Sequence, residues 1–158
     1  MVLVVNERKF HISKMFLASQ SSYFKSLFFG NFKESRKTEI TLKCVDPDDF
    51  QKFLELLYGD PTIDDENVEG IMVLTNMYDA PNAFRKCEEF LMKESKKLLK
   101  KKFQMALRYK LTNLKDQCFK NMRSGLDVRS VMPSDTSDLD RETLEMLFKK
   151  APSFLPTN

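Results

Sequence analysis

With 158 residues, 42% of them apolar, the chain suits one domain with a short appendage and is apolar enough to pack a core, which excludes global disorder. Fourteen Phe and nine Met against no Trp and only four Gly argue against a many-turned all-β sandwich or barrel. The net charge of +3 demands neither nucleic acid nor a membrane surface, and the longest apolar runs fall far short of the ~18–20 residues of a membrane span.

The start, MVLVVNERKF, lacks the basic and long apolar regions of a signal peptide. Cys44, Cys87 and Cys118 are odd in number and lack metal-ligand spacing. They read as reduced, structurally buried thiols of a cytoplasmic or nuclear protein. Charge alternates along the chain. Asp46–Gly70 holds nine acids and one base, Lys93–Arg123 eleven bases and two acids, and Asp127–Glu145 turns acidic again. Such zones suggest successive modules.

In chain order, Val2–Val5 is a β-branched run and Lys9–Ile12 a second extended segment, with Asn6-Glu7-Arg8 as the turn of a hairpin. Ser13 is a candidate N-cap for one helix running to Phe29, with Leu17, Phe24, Leu27 and Phe28 along its apolar side and Gly30-Asn31 as its stop. Glu39–Leu42 alternates as a third strand. Asp46 then caps a helix with Pro47 at its first position, and Phe50, Phe53, Leu54, Leu57 and Tyr58 follow helical spacing up to Gly59. Pro61-Thr62-Ile63 reads as a short edge strand. Helices Val68–Tyr78 and Pro81–Lys93 are broken at Asp79-Ala80-Pro81.

A helical pair, Lys97–Tyr109 and Asn113–Arg123, turns near Leu111-Thr112 and is closed by Gly125. Leu99, Phe103, Ala106 and Leu107 face inward on its first member, and Leu114, Cys118 and Met122 on its second. Shorter helices are expected over Asp127–Met132 and Asp140–Lys150. The expected core includes Phe24, Leu27, Phe53, Leu54 and Leu57.

Catalytic chemistry is poorly provided for. The glycines at 30, 59, 70 and 125 are too dispersed for a phosphate-binding loop or a nucleophile elbow. His11 is the single histidine, so a Cys–His pair has one candidate base and three thiols that read better as buried structure. Asp64-Asp65-Glu66 lacks the spacing of a calcium loop and reads as a solvated helix start. Lys96-Lys97 and Lys100-Lys101-Lys102 interleave with Leu98, Leu99 and Phe103, as on the solvated side of an amphipathic helix. No enzyme activity, cofactor, metal, nucleic acid, membrane or small-molecule ligand is expected.

The order of landmarks is more specific. LVV, then Phe10, Lys14, Leu17, Ala18, Ser21 and Phe24 in an F-x-x-x-K-x-x-L-A-x-x-S-x-x-F series, then EITL, then a helix ending LLYGD, together resemble the BTB/POZ domain. The likeness is strongest to nematode forms found in proteins with an N-terminal MATH domain. It runs from Val2 to about Met92. The resemblance implies an α/β fold, a small sheet flanked by helices, with residues 1–92 as the BTB/POZ domain. The pair at 93–125 resembles a 3-box extension of cullin-3 adaptors, and 126–158 is expected to form a helical tail. Ser13 replaces the family's usual His before Lys14, and the family's charged-pocket Asp would fall ahead of Met1, as would elements that many members exchange across the dimer. Weak or absent homodimerisation is therefore expected, with Met15, Phe16, Ser19 and Tyr23 as dimer-interface candidates.

The resemblance also implies a function. Cullin-3 adaptors share a hydrophobic-x-Glu motif after their first long helix, matched here by Phe32-Lys33-Glu34. The implied cullin-binding residues are Phe32, Glu34, Tyr58, Asn76 and Tyr78. The chain would then be a non-enzymatic subunit of a cullin-3 ubiquitin ligase. With no substrate-capturing domain expected in it, the chain would be a fragment of an adaptor, a short paralogue, or a substrate-less competitor that occupies cullin. The alternative is a BTB self-association scaffold that binds no cullin.

Overall fold

The computed structural model describes residues 1–133, 137 and 139–150. Two compact units are present, Met1–Phe90 and a second beginning at Leu91. Three four-residue strands, β1 (Val2–Val5), β2 (Arg8–His11) and β3 (Glu39–Leu42), form one sheet in the order β2-β1-β3. β1 pairs antiparallel with β2, with Leu3 opposite Phe10, and parallel with β3, with Leu3 opposite Ile40. The hairpin turn is the two residues Asn6 and Glu7, both at positive φ (45° and 70°), the geometry that follows the strands' own twist. Arg8 therefore already belongs to β2, one residue earlier than expected. Leu3, Val5, Phe10, Ile40 and Leu42 alternate inward and are buried. The parallel pairing of β1 with β3 requires a crossover, which two helices supply.

Those helices are α1 (Lys14–Gln20) and α2 (Ser22–Phe29), where the sequence suggested one continuous helix. The break falls at Ser21, whose backbone is extended (φ −146°, ψ 123°). Ser21 Oγ accepts from Phe24 N at 3.1 Å, capping α2, and donates to the carbonyl oxygen of Tyr78. Ser22 Oγ donates to the Asp79 carboxylate beside it. A distant turn thus holds the break open. Leu17, Phe24 and Phe28 are buried along the inner side of the two helices, while Leu27, expected in the core, is only half-buried.

α3 (Pro47–Leu57) forms as its sequence dictates. Asp46 Oδ1 accepts from Asp48 N and Asp49 N, Pro47 fills the first turn, and Gly59 ends the helix at φ 97°. Phe50, Phe53, Leu54 and Leu57 are buried, and so is Leu56. Phe10 of β2 meets Phe50 edge-on at 5.0 Å, fixing the sheet to α3. The stretch 61–63 is no strand. Thr62 instead donates from its hydroxyl to Glu55 (2.9 Å) and accepts at its carbonyl from Asn67 Nδ2 (2.7 Å), so side chains replace a strand ladder. Gln51, Lys52 and Thr62 together hold the Glu55 carboxyl below its usual range.

α4 (Val68–Met77) packs against α3, and the absence of a Cβ at Gly70 makes room for the Asp49 carboxylate, whose atoms would lie 2.3–2.4 Å from one. Burial, then the charges of Asp46 and Asp48, push the Asp49 carboxyl above its usual range. Tyr78 caps α4, Asp79 turns the chain at φ 46°, and α5 (Pro81–Lys93) follows.

In the second unit, α6 (Leu99–Arg108) and α7 (Thr112–Asn121) form the expected helical pair, turned at Lys110 (φ 56°). Phe103, Met105 and Ala106 are buried, and Leu99 and Leu107 only partly so. Leu114, Cys118 and Met122 are buried as expected, and Phe103 meets Phe119 edge-on at 5.5 Å. Gly125 does not close the pair. It opens α8 (Gly125–Val131), because Ser124 Oγ caps Asp127 N at 3.2 Å. α9 (Arg141–Lys150) follows. The remainder of the expected tail, 134–136, 138 and 151–158, lies outside the described residues.

Candidate interaction surface

The loop after α2 is built from short local bonds. Gly30 ends α2 with its N–H on Ser26 O at 2.8 Å. Phe32 is extended (φ −90°, ψ 156°) and leads into a 3-10 turn over Lys33–Arg36. Both Ser35 N (3.1 Å) and Ser35 Oγ (2.7 Å) donate to Phe32 O. Glu34 faces Lys37 at 3.6 Å. The ring of Phe32 crosses Gly30 so closely that a Cβ there would lie 3.1 Å from Phe32 Cδ2 and 2.3 Å from Ser26 O. Despite this seat, Phe32 is 61% exposed and borders a hollow of about 390 Å³ lined also by Asn31, Lys33, Ser35 and Arg36. Chemically this is an aromatic knob on a polar, basic loop, the form of an interface anchor.

The other expected contact residues fall in different places. Tyr58 caps α3, is 53% exposed, and stacks on Phe16 of α1 (centroids 4.1 Å, interplanar angle 21°). Tyr58 and Phe16, assigned by resemblance to different surfaces, are thus neighbours. Asn76 is exposed on α4, on a helix whose Val73 and Met77 are exposed as well. Tyr78 does not belong to the surface. It is 2% exposed, with Phe24 at 4.7 Å, Tyr23 at 5.1 Å, Phe53 at 5.9 Å and Phe50 at 6.2 Å, centroid to centroid. Burial, and secondarily Tyr23, hold its phenol far above the usual range. The reason is packing: the ring sits among aromatic side chains of α2 and α3, while the Tyr78 carbonyl accepts from Ser21 Oγ.

Met15 and Ser19 share a groove of about 460 Å³ with Ala18, Lys25 and Phe29, and Met15 and Phe29 are well exposed. Tyr23 is instead half-turned into the aromatic cluster, edge-on to Phe24 at 5.3 Å. Sequence reading missed three supports of the Phe32 loop: Gly30, Ser35 and Lys14, whose Nζ donates to Ser35 O at 3.4 Å. Lys14 stands in the landmark series but carried no assigned role there.

Cys87 and Cys118 are buried, which pushes their thiols up to about 12 and about 11. Cys44 departs from the expected burial: it is exposed, at φ 59°, in the turn after β3. Among the described residues no group of three or more His, Cys, Asp or Glu could hold a metal ion, and no helix is long and apolar enough to cross a membrane.

Comparison with known proteins places these features. The family model for the BTB/POZ domain matches residues 1–95. The chain is 48% identical over 123 residues to BTB and MATH domain-containing protein 15 of Caenorhabditis elegans, covering 78% of this chain and 45% of that protein. It is 40% identical over 137 residues to BTB and MATH domain-containing protein 45 of the same organism, covering 85% of this chain and 29% of that protein. It is 37% identical over 94 residues to Kelch-like protein 40 of Xenopus laevis, covering 59% of this chain and 15% of that protein. The chain spans less than half the length of these curated relatives.

Proposed function

Because the chain belongs to the BTB/POZ domain family, a family of protein–protein interaction modules, we propose that it is a non-enzymatic adaptor module that binds the N-terminal region of cullin-3 in a ubiquitin ligase. The observation that carries this reading is the exposed Phe32 ring, held on a short hydrogen-bonded loop beside Glu34. An aromatic that keeps most of its surface in water while its backbone is fixed has much to gain from a partner's apolar pocket. Tyr58 and Asn76 are the further contact residues in this reading, and Tyr78 supports them from within the core. We read residues 1–92 as the BTB/POZ domain and the pair at 93–125 as a 3-box-like extension. Three free cysteines fit a reducing compartment, cytoplasm or nucleus.

A specific observation favours a second reading, a self-association scaffold that binds no cullin. The groove bordered by Met15, Ser19 and Phe29 exposes apolar surface that a second copy could cover. Sizing the purified chain alone and with the cullin-3 N-terminal domain separates the two. A mixed complex supports the adaptor reading. A dimer that ignores the cullin domain supports the scaffold and removes the adaptor.

A further inference from the structure

We propose that the chain associates head to tail, with the acidic loop 60–66 of one copy seated in a basic-rimmed groove on the second unit of another. Neither surface includes Phe32 or Glu34, so this contact stands apart from cullin binding. The groove lies between α7 and α9, measures about 490 Å³, and is lined by Asp116, Phe119, Lys120, Met146, Lys149 and Lys150. Phe119 is buried and Met146 half-buried, so they form an apolar floor, whereas Lys120 and Lys149 are exposed at the rim, one on each helix. The segment that fits such a groove brings carboxylates to the rim and an apolar group to the floor.

The chain carries that segment itself. In the loop 60–66, Asp60 and Glu66 are exposed and flank Pro61, also exposed, and half-buried Ile63. The loop is already shaped: Asp64 Oδ1 accepts from Glu66 N at 2.9 Å and Asn67 N at 2.8 Å, and Thr62 binds Glu55 and Asn67. Docking it therefore costs little ordering. Asp46, Asp48 and Glu55, by contrast, are engaged within the fold by the first turn of α3, Arg8 and Lys52. Among the described residues, the side chains of Asp60, Glu66, Lys120 and Lys149 make no hydrogen bond or ion pair. The units differ in sign as well. Residues 1–90 carry 15 acids and 11 bases, and residues 91–158 carry 8 acids and 15 bases. A two-fold pair through either surface would face like charge with like, whereas a head-to-tail contact joins unlike charges. Such a contact does not close in a pair, so it extends to chains or rings.

Sedimentation velocity of the full chain, with no cullin present, reads this directly. At low salt the mean mass should rise with concentration beyond two chains, and ~0.5 M salt should return it toward the single chain, because exposed charge pairs are screened. Two double variants separate the surfaces: Lys120→Gln with Lys149→Gln neutralises the groove, and Asp60→Lys with Glu66→Lys reverses the loop. All four side chains are exposed, so both variants should keep the wild-type thermal midpoint. The groove variant alone should associate ~3- to 10-fold more weakly, and the loop variant more weakly still, because its lysines meet lysines. An equimolar mixture should recover a species of two chains and nothing larger, since each variant keeps the one surface that the other lacks. A wild-type chain that stays single at low salt overturns the proposal, as does a mixture that stays single while both variants keep their thermal midpoint. Association that survives both ~0.5 M salt and both double variants also overturns it, and assigns the contact to the groove of Met15, Ser19 and Phe29.

Discussion

Replacing Tyr78 by Ala should unfold the first unit readily, and the reason is geometric. The ring is 2% exposed and has four aromatic neighbours, Phe24, Tyr23, Phe53 and Phe50, at 4.7, 5.1, 5.9 and 6.2 Å. Removing a buried aromatic side chain loses its transfer free energy and leaves a cavity that rigid neighbours fill poorly, about 3–5 kcal/mol together. That is a large part of the ~5–15 kcal/mol by which domains are stable. Tyr78→Phe keeps the ring, and the backbone carbonyl still accepts from Ser21. It should cost no more than about 1 kcal/mol. Urea denaturation followed by far-UV circular dichroism measures both. A Tyr78→Ala loss below about 1 kcal/mol, with an unchanged denaturant slope, would refute the placement of this ring in the core. A partner-facing Tyr78 would give that result, with the defect appearing only in binding.

Further outcomes are expected. With a native-state thiol reagent, Cys44 should react quickly through exposure alone, and Cys87 and Cys118 slowly, because burial keeps those two protonated; three equal rates would contradict the assigned burial. Ser21→Ala removes a helix cap and the tether to Tyr78 O at once, so it should cost more than Ser13→Ala, for which cap loss alone predicts ~1 kcal/mol. Equal losses in thermal or urea melts would show that the tether adds nothing. Asp49 has a carboxyl pKa raised in the fold, so its contribution to stability is greatest below the unfolded carboxylate range and declines as pH rises through the folded value. Asp49→Asn should therefore raise the melting temperature at neutral pH and change it little in acid. A fall at neutral pH would mean that the helix end favours the charged form after all.

Much of the fold was legible because it rests on local signals. The β-branched run at Val2–Val5 and the sequence Asp46-Pro47 followed by Phe50, Phe53, Leu54 and Leu57 each specify an element by their own spacing. The failures share a different cause. The apolar stripe from Leu17 to Phe24 to Phe28 keeps helical phase across Ser21, so periodicity hides the break. Bonds from Ser21 to Tyr78 and from Ser22 to Asp79, each 57 residues away, hold it. The adjacent serines at 21 and 22 were the available clue, since both favour helix starts. The segment 61–63 joins no strand, Thr62 N–H turns back on Asp60 O at 2.9 Å, and Glu55 and Asn67 bind the segment by side chains that no alternation pattern reveals. Tyr78 was placed at a surface by resemblance, whereas packing of α2, α3 and α4 turned it inward.

The candidate surface divides in the same way. Exposure of Phe32 follows from its position on a polar loop between a glycine stop and a strand. Its seat against Gly30 is local, whereas the bond from Lys14 Nζ to Ser35 O brings the loop back to α1, which spacing alone does not encode.

The adaptor reading is tested most directly by calorimetric titration of the chain, and of its Phe32→Ala and Glu34→Ala variants, with the cullin-3 N-terminal domain. Wild-type binding is expected, with Phe32→Ala weakening it by ~2 kcal/mol or more, the scale of an aromatic anchor. Glu34→Ala should cost less, because its half-exposed carboxylate faces Lys37 at the rim, where salt screens it. Absence of binding by the wild-type chain would contradict the account, and a neutral Phe32→Ala in a chain that binds would move the contact from this loop to the exposed face of α4.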